Sequence, residues 1–210
     1  MKPSKGFRVI GVILLVLLVD QVTKIWVKTH LELHDSIRIT DWFQIYFTEN
    51  PGMAFGWEFF DKVFLTLFRL AASVGIAYYL WTLLKRACRT GYVITIALIL
   101  AGAVGNIIDC LFYGLIFDHS YGQLAVLFPE SGGYAPFLQG KVVDMLYFPL
   151  IETTWPAWMP VVGGNTFIFF RPIFNIADSA ISVGFILLLL FYRKELSYSL
   201  EKKHTDKSSE

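Results

Sequence analysis

Residues 9–24 read VIGVILLVLLVDQVTK, an apolar run that ends in an aspartate and, four residues later, a lysine. A helix needs about 20 predominantly apolar residues to cross the hydrocarbon core of a bilayer, and the segment at about 8–28 supplies them. No small-x-small cleavage site follows the run, which argues against a cleaved secretory signal peptide. We therefore predict a retained transmembrane helix here.

Three more segments have the same apolar character, at about 62–84, 91–112 and 172–192. The composition agrees, because 55% of the 210 residues are hydrophobic and only 17% are charged, whereas soluble domains carry about 25% charged residues. The formal net charge of +1 gives no reason to expect a nucleic acid partner. We predict an all-α membrane protein with four transmembrane helices, forming one domain over residues 1–200, followed by a polar cytoplasmic tail at 201–210.

The positive charges predict the orientation of these helices. Lysine and arginine concentrate on the cytoplasmic side of membrane proteins. Here they cluster before the first span, between the second and third spans, and after the fourth. Both termini are therefore predicted to be cytoplasmic, and the longer connections at about 29–61 and 113–171 are predicted to lie on the outer, periplasmic side.

The two outer connections differ in pattern. In the first, alternating β-branched and aromatic residues predict a short strand pair, closed by the turn residues Glu-Asn-Pro-Gly at 49–52. We therefore expect a small β-rich periplasmic loop domain. In the second, three prolines argue against a fifth span, and the tryptophans and phenylalanines predict an insertion that lies along the membrane interface.

Ionisable residues within or at the ends of apolar spans are costly, and each one calls for an explanation. Here these residues are Asp20, Lys24, Asp109, Asp144 and Asp178. Asp20 and Lys24 are four residues apart on one helix face, and we interpret them as a structural ion pair. The other three come from separate segments that reach one membrane depth on the outward side.

Two carboxylates that lie close together in a low-dielectric site cannot both ionise easily, so one keeps its proton. The ionised carboxylate can take a proton from water, while the protonated one can donate to a carbonyl oxygen or a leaving amine. Amide hydrolysis needs this acid and this base together. From position alone, an interpretation of equal weight is that these aspartates cap helix ends or bind buried backbone amides.

Five short blocks, in the same order along the chain, resemble the lipoprotein signal peptidases, the type II signal peptidases of bacteria. These blocks are DQVTK at 20–24, ENPGMAF at 49–55, GAVGNIID at 102–109, GKVVDM at 140–145 and FNIADSAI at 174–181. The resemblance implies an aspartic endopeptidase that removes the signal peptide from diacylglyceryl-modified prolipoproteins, cutting before the lipidated cysteine. It implies a multi-pass protein of the bacterial inner membrane that works on the periplasmic side, in contact with membrane lipid, without a cofactor or metal. It also implies inhibition by globomycin, and we expect a monomer.

The resemblance assigns roles to individual residues. The catalytic pair corresponds to Asp144 and Asp178. Residues that line the site or help to hold the substrate correspond to three asparagines and a glycine, Asn50, Gly52, Asn106 and Asn175. Supporting roles correspond to Asp20, Lys24, Gly105 and Asp109. Because Asn175 precedes Asp178 by three residues, we expect both side chains to project from one face of the last span.

The chain departs from the family pattern in two places. The family has an arginine directly after the aspartate of the third block, and this chain has Cys110, which supplies neither the charge nor the guanidinium fork. We suggest Arg171 as the residue that compensates. Insertions at 113–140 and 151–170 are the second departure. Both departures bear on substrate handling rather than on the class of reaction.

Other functional classes predict different features. A transporter or proton-coupled channel would need a carboxylate in the inner half of a span, and the obvious ones cluster at the outward end. A scaffold with structural aspartates would keep working after Asp-to-Asn changes at 144 and 178. A presenilin-type peptidase would carry YD, GxGD and PAL motifs, and a serine hydrolase a GxSxG motif; the sequence contains none of them.

Overall fold

The computed structural model describes residues 4–52 and 62–199. Its helices are α1 Lys5–His30, α2 Lys62–Lys85, α3 Thr90–Ile108, α4 Gly114–Ile116, α5 Ile176–Phe191 and α6 Arg193–Ser199, with a π-helical turn Asp109–Tyr113 between α3 and α4. Its strands are β1 Ser36–Thr40, β2 Phe43–Asn50, β3 Val142–Tyr147, β4 Ile151–Thr154, β5 Thr166–Phe169 and β6 Ile173–Phe174. Residues 53–55 of the ENPGMAF block and the predicted tail at 201–210 lie outside the described residues.

Three stretches of the described residues are long and apolar enough to cross a membrane, namely α1, α2 and the helical run Thr90–Ile116. A fourth crossing follows only if α5 and α6 act as one span, because the chain bends by 86° between them. The predicted spans at 8–28, 62–84 and 91–112 fall on the first three, and the one at 172–192 falls mainly on α5. Several apolar helices suited to a membrane are therefore present, while the count of four spans stays a prediction.

The chain divides into two compact units. The first, here called the helical unit, comprises the described parts of Met1–Gln21, Val63–Ile108 and Ile176–Glu210. The second, here called the sheet unit, comprises those of Val22–Lys62 and Asp109–Asn175. The single domain expected over residues 1–200 stays a prediction.

In the helical unit, α3 packs closely against α5 through small residues, as helices in membranes commonly do. A Cβ atom at Gly102 would lie 2.2 Å from the carbonyl oxygen of Ala177, and one at Gly184 would lie 2.5 Å from Ile99 Cγ1. Side chains larger than hydrogen at these two positions would therefore push the helices apart. The close approach sets the first turn of α5 beside the end of α3.

In the sheet unit, four strands form an antiparallel sheet in the order β1-β2-β3-β6. Val143 and Met145 of β3 pack with Phe47 and Phe117 in an apolar core. Successive side chains of a strand point to opposite faces, so Asp144 points away from that core. In the antiparallel register Asp144 lies opposite Thr48 of β2.

The strand pair predicted in the first outer connection is present as β1 and β2, but its turn is not where we expected it. The two strands are joined at Asp41 and Trp42, and Glu-Asn-Pro-Gly instead ends β2. Gly52 has a φ of 83°, a conformation that glycine adopts without steric cost, and its N–H donates to Asn50 Oδ1 at 2.8 Å. The block therefore shapes the end of the strand that carries Asn50.

The insertion at 151–170 forms a second sheet of two antiparallel strands, β4 and β5. Several of its apolar side chains are exposed, including Trp158 at 80% and Val161 at 98%. Such exposure agrees with a segment that contacts lipid. Its position at the membrane interface stays a prediction.

Candidate active site

Asp144 lies in the middle of β3, is 3% exposed and accepts hydrogen bonds from two asparagine side chains. Asn175 Nδ2 donates to one of its oxygens at 2.7 Å, and Asn50 Nδ2 donates to the other at 3.3 Å. Asn175 also donates to the Val143 carbonyl at 3.3 Å, so its amide is fixed by β3 itself. The carboxylate is therefore held on both oxygens.

A buried ion pair contacts the backbone of β3 next to Asp144. Lys24 Nζ lies 2.8 Å from Asp109 Oδ2, and both side chains are fully buried. The same oxygen accepts the backbone N–H of Val143 at 3.3 Å, one residue before Asp144. Asp109 also begins the π-helical turn, a feature that is frequent at functional sites. The pair thus fixes the backbone next to the candidate catalytic residue.

Asp178 lies in the first turn of α5 and is partly exposed. Asn106 of α3 donates its amide Nδ2 to Asp178 Oδ1 at 2.7 Å. The asparagine is also partly exposed, so this hydrogen bond lies at an accessible surface and not in the buried core. The helical unit therefore holds one carboxylate by an asparagine, as the sheet unit does.

The start of α5 is capped from α1. Asp20, which is fully buried, accepts the backbone N–H of Ala177 at 2.8 Å and the side-chain amide of Gln21 at 3.1 Å. The first N–H groups of a helix have no partner within the helix, so this carboxylate satisfies one of them. Gly105 gives it room, because a Cβ there would lie 2.8 Å from Asp20 Oδ2.

A cavity of about 310 Å³ lies in the helical unit beside Asp178. Asn106 and Asp178 line one part of it, and Arg69 and Ser73 of α2 line another. Its remaining lining is apolar and comes from α2, α3 and α5. The carboxylate therefore faces a space that can hold part of a substrate.

A second charged cluster lies at the end of β2 in the sheet unit. Glu49 pairs with Lys28, and it accepts Lys141 Nζ at 2.8 Å and the Ser120 hydroxyl at 2.9 Å. Burial alone would raise the pKa of Glu49, but the attraction of Lys28 and the hydrogen bonds from both lysines outweigh it and hold the pKa below 4.5. Glu49 in turn keeps the pKa of Lys141 above its usual 10.5, against the effect of burial. The cluster fixes the residue that precedes Asn50.

The interpretation that the aspartates cap helices or bind buried backbone amides is confirmed for Asp109, which accepts the N–H of Val143. Asp20, which was predicted only as part of an ion pair, caps α5. Asp144 and Asp178 accept asparagine side chains. The pairing of Lys24 with Asp109 adds to the ion pair predicted within α1, and that pair with Asp20 stays a prediction.

Two further predictions concern Asn175 and the missing arginine at Cys110. Asn175 was expected to share a helical face with Asp178, but α5 begins one residue later, at Ile176, and the Asn175 side chain donates to Asp144. Cys110 is 2% exposed, whereas Arg171 is exposed and donates to the Thr166 carbonyl at 3.4 Å. Compensation by Arg171 stays a prediction.

Sequence reasoning missed four charged residues near these sites, Lys28, Glu49, Arg69 and Lys141. An arginine inside the apolar segment at 62–84 was a usable signal, because charged residues in spans are rare. The other three lie far apart in sequence, and only the fold brings them together. In residues 4–52 and 62–199, no group of three or more His, Cys, Asp or Glu side chains is placed to hold a metal ion.

Comparison with known proteins gives matches over most of the chain. Residues 12–193 match the family model described as signal peptidase (SPase) II. The lipoprotein signal peptidase of Porphyromonas gingivalis strain W83 is 52% identical over 203 residues, which cover 96% of this chain and 89% of the relative. That of Amoebophilus asiaticus is 36% identical and covers 95% of this chain and 83% of its own length.

A solved structure is also similar in fold. It is a bacterial membrane enzyme determined by the in meso method, with a TM-score of 0.60. It is 23% identical in sequence, and the match covers 91% of this chain and 90% of that one. At this identity the similarity concerns the fold alone.

Proposed function

Because the chain belongs to the signal peptidase II family, we propose that it is an aspartic endopeptidase with Asp144 and Asp178 as its catalytic pair. Its membership and its relatives support a membrane-embedded peptidase that processes lipoproteins. The proposed substrate is a diacylglyceryl-modified prolipoprotein, cut before the lipidated cysteine.

The observation that carries this proposal is that each unit holds one of these carboxylates by an asparagine amide at 2.7 Å. Both bonds come from neutral amides, whereas Asp20 caps a helix and Asp109 pairs with a lysine. Ionisable residues at membrane depth are costly to keep and commonly mark functional sites. Such residues are candidates for catalysis.

In the proposed reaction, the ionised aspartate takes a proton from a water molecule, whose oxygen attacks the carbonyl carbon of the scissile peptide bond. The protonated aspartate donates its proton to the carbonyl oxygen as the tetrahedral intermediate forms. Collapse of the intermediate breaks the C–N bond as the first aspartate gives the proton from water to the leaving amine of the lipidated cysteine, while the second aspartate recovers a proton from a hydroxyl of the intermediate. No covalent enzyme intermediate is needed.

We also propose the topology that fits this reaction. The distribution of lysine and arginine supports four spans with both termini in the cytoplasm, and hence a site on the periplasmic side of the inner membrane. The lipid chains of the substrate would remain in the bilayer. Inhibition by globomycin and a monomeric state are parts of the same proposal.

The test is cleavage of a defined substrate by the purified protein in detergent. A diacylated prolipoprotein is incubated with wild type and with Asp178→Asn, and the products are identified by mass spectrometry. The matched control is Asp41→Asn, which removes a carboxylate that is 91% exposed. We expect wild type and the control to cut before the lipidated cysteine, globomycin to stop both, and the folded Asp178 variant to be inactive. Absence of cleavage by folded wild type would contradict the proposed substrate and reopen the transporter and scaffold interpretations.

A further inference from the structure

Arg69 is a charged residue within the apolar helix α2, about two turns after its first residue, Lys62. Placing an arginine in a membrane span is costly, and such residues usually mark a pathway, a ligand or a functional partner. The residues around it, FLTLF before and LAAS after, are almost wholly apolar. Its position therefore needs a reason beyond solubility.

The cavity beside Asp178 supplies that reason. Arg69 and Ser73, one helical turn apart on α2, line it together with Asn106 and Asp178. Ser73 is 5% exposed, and within the part of the chain that the structure describes its hydroxyl has no hydrogen-bond partner. A buried hydroxyl without a partner is destabilising. A ligand in the cavity would provide the missing partner.

The chemistry of the lining defines what kind of group would bind. Apart from the four polar side chains, the lining consists of apolar residues, among them Phe68, Ile76 and Ile181. Arginine offers only donors, five N–H groups in a planar fork, and serine can donate one more hydrogen bond. Even when a protein partner uses some of the five N–H groups of Arg69, others remain to donate to a ligand. Because the Asp178 carboxylate lines the same cavity and disfavours an anion there, the fitting ligand is an apolar chain that carries an uncharged acceptor.

We propose that Arg69 and Ser73 form a carbonyl-binding strip that positions the substrate beside Asp178. The inference rests on the proposed function, and it adds a pair of positioning residues on α2. The carbonyl oxygen belongs either to a glyceryl ester of the lipidated cysteine or to the peptide backbone, because both present the same acceptor on an apolar chain. These two sources can be separated by changing the substrate.

The experiment compares two synthetic prolipoprotein peptides that differ only in the lipid linkage. One carries diacylglyceryl cysteine, with ester carbonyls, and the other carries dialkylglyceryl cysteine, with ether oxygens. The enzyme variants are Arg69→Gln, Arg69→Lys and Ser73→Ala. Lys85→Gln is the control, because it removes an exposed cation from the same helix outside the cavity lining. Unfolding temperature and kcat and KM are measured for each.

We expect Arg69→Gln to raise KM for the ester substrate about tenfold with a smaller effect on kcat, since a hydrogen bond from a charged donor is lost. Ser73→Ala should raise KM about threefold, and it tests the strip even where the arginine variant fails to fold. Arg69→Lys should recover only part of the loss. If the ester is the acceptor, Arg69→Gln will not alter KM for the ether substrate. If the peptide is the acceptor, KM will rise equally for both substrates.

Unchanged kinetics of folded Arg69→Gln and Ser73→Ala on both substrates would overturn the carbonyl-binding strip while leaving the proposed function intact. An equal effect of Lys85→Gln would also overturn it, because the arginine would then act only through net charge. If wild type cuts neither substrate, the proposed function fails and this inference fails with it.

Discussion

Asp144 and Asp178 are held by different kinds of structure. Asp144 lies in a strand, is 3% exposed and accepts amide hydrogen bonds on both oxygens. Asp178 lies in the first turn of a helix, is partly exposed and lines a cavity. One carboxylate is therefore fixed by amide hydrogen bonds on both of its oxygens. The other stays accessible, because Asp20 of α1 caps the start of its helix.

The supporting charges follow the same division. In the sheet unit they form ion pairs that are fully or mostly buried, as Lys24 with Asp109 and as Glu49 with two lysines. In the helical unit, Asp20 acts on the backbone of α5 and leaves Asp178 to Asn106. We therefore expect changes around Asp144 to affect mainly folding, and changes around Asp178 to affect mainly activity.

The largest effect on folding is expected from Lys24→Met. This change leaves Asp109 charged and fully buried without its lysine, which should lower the free energy of unfolding by about 3–5 kcal/mol. Urea unfolding in mild detergent, followed by tryptophan fluorescence, measures the loss. The control is Arg38→Gln, which breaks an ion pair whose side chains are 67% and 91% exposed and should cost at most about 1 kcal/mol. Equal losses of unfolding free energy from the two changes would contradict the prediction that the buried ion pair contributes more than the exposed one.

A smaller difference in stability is expected between asparagine substitutions at the two proposed catalytic residues. In Asp144→Asn the new amide must face the amides of Asn50 and Asn175, so at least one N–H group loses its acceptor, at about 1–3 kcal/mol. In Asp178→Asn the partly exposed partner, Asn106, can turn its amide. Thermal unfolding of both variants checks this. A Tm of Asp178→Asn below that of Asp144→Asn would reverse the comparison.

Overpacking next to the cap of α5 is expected to lower the free energy of unfolding by about 1–2 kcal/mol. Gly105→Ala would place a Cβ 2.8 Å from Asp20 Oδ2 and 3.1 Å from Ala177 Cβ, and such overpacking typically costs in this range. Gly75→Ala is the matched control in α2, because nothing lies within 4 Å of a Cβ there. The control should be neutral or slightly stabilising. Similar losses from both would show that the contact with Asp20 is unimportant.

The smallest effect concerns pH, and it tests the cluster next to Asn50. Because the pKa of Glu49 is lower in the folded protein than its usual 4.5, its contribution is present above that pH and is lost as pH falls through the folded value. The pKa of Lys141 is raised above 10.5, so its contribution is present below that pH and is lost as pH rises further. Glu49→Gln should therefore flatten the decrease in Tm at acidic pH. If Tm decreases at acidic pH as steeply in Glu49→Gln as in wild type, the stabilising role of Glu49 is contradicted.

The sequence predicts the helices of this protein well and its polar contacts less well. Apolar runs of about 20 residues leave few alternatives, so the predicted spans fall on α1, α2, α3 and α5. The turn between β1 and β2 was misplaced because Glu-Asn-Pro-Gly has the composition of a hairpin turn, yet it ends a strand. The partner of Asn175 was missed because the helix begins only after it.

The residues of the candidate site could be named from the sequence because they lie in short blocks typical of the family. Their contacts could not, since Lys28, Glu49 and Lys141 are separated by up to 113 residues and meet only through the sheet. Arg69 was not predicted as a site residue, although an arginine within an apolar segment is visible in the sequence.

The most direct test of the account is a comparison of Asp144→Asn, Asp178→Asn and the double variant in single-turnover cleavage of a diacylated prolipoprotein. Residues that act as one catalytic unit show strongly non-additive effects. We predict that each single variant, verified as folded, falls to the residual rate of the double variant. A single variant that keeps substantial activity, with the double variant much slower than either, would contradict the claim that the two carboxylates form one catalytic pair.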